Sequence, residues 1–172
     1  TLGVPPDSLR LPIMPVRFAV FHFVVRRFGV FRRVWVFTQA FDFFLGLLTV
    51  FTAPGVTVAI NSLTRSLRQW PNVTISRHPL GGRQFNCQST ELGHVHSNGV
   101  VDIRLTASEQ ADVLARGLAQ RHHIAPKSTW VTFLIEKHED VSEAMVLFAI
   151  PFDRVTAQPR RPSEVPSEEY IA

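Results

Sequence analysis

From Phe43 to Ile60 the chain carries no charged residue, and the stretch before it is almost as apolar but studded with arginine. So much apolar surface must be buried in a core or given to a membrane, because water tolerates it poorly. Residues 1–60 hold Arg10, Arg17, Arg26, Arg27, Arg32 and Arg33 against Asp7 and Asp42, a balance of 6 − 2 = +4. Residues 61–172 hold twelve basic and twelve acidic residues, so the whole net charge of +4 lies in the apolar N-terminal third. Arginine interleaved with Phe, Val and Leu suits an anionic lipid surface. A basic patch without apolar companions would suit nucleic acid instead, and the neutral remainder of the chain gives no reason to expect that partner.

The arginine pairs between Ile13 and Phe37 are too frequent for an unassisted bilayer span. The uncharged run that follows is near the lower length limit for one, and Pro54-Gly55 interrupts it. A helical hairpin or an interfacial helix is therefore expected over residues 1–55, which makes the chain membrane-associated. The competing reading is a soluble helical layer packed on the domain that follows.

That domain is expected over residues 56–155. Val56, Ile60, Leu63, Leu67 and Trp70 recur every three or four residues and predict an amphipathic helix stopped by Pro71-Asn72. Four strands are predicted next, over 73–78, 83–89, 91–96 and 100–105, with turns at Pro79–Gly82 and at Ser97-Asn98-Gly99. A helix follows from Ser108, with Ala111 where a capping box would want Glu or Gln. Residues 120–127 read as a loop, 129–136 as a strand and 139–148 as the last helix. Residues 156–172, rich in Pro, Glu and Ser, read as a disordered tail. The fold class is α+β, a mainly antiparallel sheet of about five strands covered by helices and preceded by apolar N-terminal helices.

The chemistry lies in the histidines. His94-Val95-His96 on a strand puts both imidazoles on one face, since side chains alternate with period two. If Ser97-Asn98-Gly99 makes a hairpin, Asp102 lies on the neighbouring strand and projects on the same face. Two imidazoles this close share a metal ion or divide acid and base roles. Two His and a carboxylate suit Fe(II) and oxygen chemistry, and the bland alternative is a hydrogen-bonded structural pair. The Arg121-His122-His123 loop would bring His122 towards His94 and His96 if it folds back over the sheet. Glu91 is placed to orient a histidine. The single cysteine, Cys87, reads as a core residue.

Glu91-Leu-Gly-His-Val-His-Ser, Asp102-Ile-Arg-Leu, Gly117-Leu-Ala-Gln-Arg-His122 and Trp130-Val-Thr-Phe, in this order, resemble the fungal luciferase-like domain. The resemblance covers roughly residues 56–155. It implies an apolar membrane-anchoring segment ahead of the domain and an oxygenase that acts on a hydroxylated pyrone, 3-hydroxyhispidin in the light-emitting members, with molecular oxygen. His94, His96 and His122 match the family's histidines. Asp102 stands where the light-emitting members resemble one another in having histidine, and His123 stands where the family usually has proline.

Under this reading the partner is a small aromatic or pyrone-like substrate. His94 and His96 bind or deprotonate it, His122 is the partner acid or base, and Arg121 holds an anionic oxygen. Asp102, Glu91 and Trp130 complete the substrate-binding surface. No cofactor is required by the resemblance. A metal-bound version would hold Fe(II) or Zn through His94, His96 and either Asp102 or His122. Two other readings stay open at this point: a non-catalytic module that retains a small ligand at a membrane, and a metal-dependent hydrolase or isomerase.

Overall fold

The computed structural model describes residues 35–157. The arginine-rich stretch before Trp35 and the expected tail beyond Ala157 lie outside the described residues. The elements, in chain order, are α1 (Trp35–Thr52), α2 (Pro54–Arg68), β1 (Val73–Arg77), β2 (Arg83–Cys87), β3 (Thr90–Val95), β4 (Val100–Arg104), α3 (Ala107–Ala115), β5 (Gln120–Arg121), β6 (Trp130–Leu134) and α4 (Asp140–Ala157). The six strands form one sheet in the order β1-β2-β3-β4-β6-β5, with every pairing antiparallel. The fold class is α+β, as the pattern predicts.

Three local readings are corrected. The helix after β4 starts two residues earlier than expected: Thr106 is its N-cap and, with Glu109, makes a complete capping box. The box was sought at Ser108, where the third residue on is Ala111; the true signal sits one Thr upstream. The loop over 120–127 opens with a two-residue strand, too short to leave a periodic signature. The last helix continues past Phe148 to Ala157 and takes in Pro151, so the chain is still helical two residues into the expected tail.

The sheet has two differently furnished faces. One face turns Phe85, Cys87, Val95, Val101, Ile103 and Val131 into the main core, against Val56, Ala59, Ile60, Leu63 and Leu67 of α2 and Ala144, Leu147 and Phe148 of α4. Gly93 of β3 permits this layer to close: a Cβ there would meet the Asp102 carbonyl oxygen at 2.4 Å and the Phe148 ring at 3.0 Å. The other face carries His94, Val100, Asp102, Thr132 and Leu134, because His94 pairs with Asp102, Asp102 with Thr132 and Val100 with Leu134. Leu45 and Phe41 of α1 pack on Val100 and Leu134 there. The sheet is thus sandwiched, with α1 on the histidine face and α2 and α4 on the apolar face.

The chain changes faces at Ala53, where α1 and α2 are bent by 119°. Among the described residues no single helix is long and apolar enough to cross a membrane; only this bent pair passes on length and composition. The uncharged run therefore does not span as one helix, because its second half, from Val56, belongs to the domain core.

Candidate functional site

Asp102 is the centre of the site. It lies mid-strand on β4 and is 1% exposed. Its Oδ2 faces three imidazole nitrogens, His94 Nε2 at 3.5 Å, His122 Nε2 at 3.7 Å and His96 Nε2 at 4.0 Å. Its Oδ1 accepts a 2.5 Å hydrogen bond from Thr132, directly opposite on β6, and stands 3.6 Å from His123 Nδ1. Oδ2 accepts no hydrogen bond among the described residues, although it is fully buried. Burial alone would raise the Asp102 carboxyl; the imidazoles of His123 and His94 outweigh it and hold the group well below the usual carboxylate range.

The strands explain how His94 reaches this position, and a bulge explains its second partner. Phe85 opposes Gly93 while Asn86 opposes Glu91, so Leu92 is an extra residue in β3. Strict alternation would put Glu91 and His94 on opposite faces; the extra residue returns them to the same one. Glu91 Oε1 then accepts a 2.9 Å hydrogen bond from His94 Nδ1. His94 lies between two carboxylates. Burial lowers its affinity for a proton, but Asp102 and Glu91 win and lift its pKa to about 9.

His96 ends the same strand and points Nδ1 at Asp42 Oδ1, 3.7 Å away. Asp42 sits on α1 and is buried, although it looked like one charge within an apolar segment. Its carboxylate also accepts from the backbone N–H groups of Gly82 (2.9 Å) and Ser97 (3.1 Å) and from Ser97 Oγ (2.7 Å). Burial would raise this carboxyl, and His96 and Ser97 bring it below its usual value. Thr38 and Gln39, one turn earlier, donate to the carbonyls of Pro79 and His78. α1 thus clamps the β1–β2 turn and the β3–β4 turn together.

That clamp delivers a histidine that no local sequence pattern marks. His78, at the end of β1, is buried and stacks on His94 with ring centroids 3.7 Å apart. Burial, with His94 and His96 alongside, pushes its pKa down to about 3. His123 is the other addition, through Nδ1 to Thr132 Oγ1 at 3.0 Å.

His122 joins the cluster as expected, but with its orientation fixed by its own loop. Its Nδ1 accepts from the backbone N–H groups of Ile124 (3.1 Å) and Ala125 (3.0 Å). A nitrogen that accepts cannot carry the ring proton, so Nε2–H points at Asp102. Burial lowers the pKa of His122, against the pull of Asp102 and with the push of His123, which keeps the ring neutral. Trp130 borders the group, 5.3 Å from the His94 ring centroid.

Arg121 does not join. It pairs with Val131, one residue off Thr132, so period-two alternation turns it to the face opposite Asp102, and it is exposed. Phe85 is in the core against Phe148, and Phe133 packs on that same core.

Among the described residues two groups have metal-ligand spacing, His78 with His94 and His96, and Asp102 with His122 and His123. A cavity of about 270 Å3 leads to His96 from between α1 and α2, past Phe43, Gly46, Leu47 and Val50. Residues 89–150 match the family model for the luciferase domain. The matched stretch is similar to a luciferase domain. The matched segment holds Glu91, His94, His96, Asp102, His122, His123 and Trp130, whereas Asp42 and His78 reach the cluster from outside it. No curated protein and no solved structure matches the chain.

Proposed function

We propose that this protein is a luciferase-like oxygenase that acts at a membrane surface on a small, apolar aromatic or pyrone-like molecule with molecular oxygen. The observation that carries the reading is the buried convergence of His94, His96 and His122 on Asp102 within the stretch that matches the luciferase domain, beside a cavity that reaches His96 past Phe43, Leu47 and Val50. A hydroxypyrone has an acidic enol O–H. His96, the imidazole that lines the cavity, takes that proton, and the Asp42 and Asp102 carboxylates on either side support the imidazolium that forms. The enolate carbon then gives its electrons to O2 as a carbon–oxygen bond forms, and the oxygen is reduced to the peroxide level. The neutral His122 Nε2–H is aimed to hold a developing oxyanion.

Membrane association is supported by α1. Phe43 and Phe51 are 74% and 78% exposed, and Phe44, Leu47 and Val50 are exposed with them. Beside this apolar face runs a groove lined by Arg65, Arg68, Arg77 and Arg83, with Asp42 its acidic residue. The neutral charge balance of residues 61–172 conceals this cluster, whose position suits anionic headgroups when α1 lies in the interface. The same placement opens the cavity towards the lipid, so an apolar substrate enters without crossing water.

The test is His94→Ala with a hydroxypyrone. Loss of turnover by at least about 100-fold with substrate binding retained supports catalysis at this cluster. Unchanged turnover removes the cluster from the reaction, and binding without turnover in the wild type favours a ligand-retaining module.

A further inference from the structure

We infer that His94, His96 and Asp102 form a binding site for one divalent transition-metal ion, with His122 excluded from its ligands. The inference does not rest on the oxygenase reading, because an ion held by these three residues is there whatever the substrate.

The ligand set follows from which ring nitrogen faces Asp102. His94 Nδ1 is engaged by Glu91 at 2.9 Å and His96 Nδ1 faces Asp42 at 3.7 Å. At His94 the carboxylate on Nδ1 keeps the proton there and leaves Nε2 as a lone-pair donor, the pattern by which metal-ligating histidines are oriented. Both Nε2 atoms face the same oxygen, Asp102 Oδ2, at 3.5 and 4.0 Å. Ligand atoms about 2.1 Å from one ion stand roughly 3–3.5 Å apart, so the His94 gap already fits and the His96 gap closes by about 0.5–1 Å. Asp102 Oδ2 is fully buried and accepts no hydrogen bond among the described residues, which a bound cation would redress. Two imidazoles and one carboxylate leave positions open on the ion.

His122 lies 3.7 Å from Asp102 Oδ2 and His78 stacks on His94, but both present the wrong atom. Backbone N–H groups donate to Nδ1 in both, from Ile124 and Ala125 to His122 and from Leu80 to His78, so Nε2 carries the proton. They are donors towards whatever occupies the open positions.

Titration of the full chain with Co2+ alone, followed by its visible ligand-field absorption, tests the proposal. One ion per chain is expected, with at least about 100-fold weaker binding in His94→Ala and in His96→Ala, and near wild-type binding in His122→Ala. Glu91→Gln, which keeps the hydrogen-bonding shape, is expected to weaken binding by about 10–100-fold while circular dichroism stays unchanged, so the claim remains testable if an alanine variant does not fold. Absence of saturable binding, or binding that survives both His94→Ala and Glu91→Gln, overturns the site. Loss of binding in folded His122→Ala overturns the ligand assignment.

Discussion

Asp102 is a buried carboxylate whose partners are all nitrogen or hydroxyl groups. Truncating it would leave His94 with one carboxylate and the other imidazoles facing a hole. Asp102→Ala is expected to cost about 3–5 kcal/mol, as loss of one member of a buried ion pair does, read as a lower urea midpoint at unchanged slope. A cost under about 1 kcal/mol, the range of exposed pairs, would contradict the burial argument. The core of this site was legible in the sequence: His-x-His and an Asp three residues past an Asn-Gly turn share a face through strand periodicity alone. Glu91 was legible as a neighbour but not as a bonded partner, since its face depends on the bulge at Leu92. Asp42 and His78 were not legible, because α1 and a turn bring them from distant positions and no local pattern encodes that approach. Arg121 was misread for the opposite reason: adjacency to His122 in sequence means opposite faces on a strand.

At the scale of elements, the sheet and its helices follow from hydrophobic periodicity, while their ends follow from single residues. Thr106 and Glu109 cap α3 reciprocally, and Glu109 is also ion-paired with Arg154 of α4. Thr106→Ala is expected to lower stability by about 1 kcal/mol, measured by chemical denaturation; no change would mean that the cap contributes nothing beyond what α4 already supplies. Gly93→Ala is a stricter case, since the new methyl meets main chain rather than a movable side chain. It is expected to destabilise by about 1–3 kcal/mol and to displace β3, which carries His94. A Gly93→Ala protein with wild-type melting temperature would show that α4 does not press on β3 as described. The strand order could be read as far as β4; the interposed α3 and the two-residue β5 hid the return of β6 beside β4.

The whole molecule is a sheet with a greasy layer on one side and, on the other, a histidine cluster roofed in part by a helix whose outer surface is itself apolar. The uncharged run Phe43–Ile60 thus divides its work at Ala53, with the first half facing outward and the second half forming core. Phe43→Asp/Phe51→Asp is expected to abolish flotation of the full chain with anionic liposomes while leaving circular dichroism unchanged, and equal flotation would place membrane binding elsewhere. Under the proposed function, such a surface and the cavity beside it, which reaches His96, are the path of an apolar substrate to the buried cluster. The most direct test of that whole account is oxygen uptake by the wild-type chain with a hydroxypyrone, set beside Asp102→Asn. Substrate-dependent oxygen consumption by the wild type, lost in a folded Asp102→Asn protein, is the expected result; uptake at the same rate in both, or none in the wild type, would contradict it.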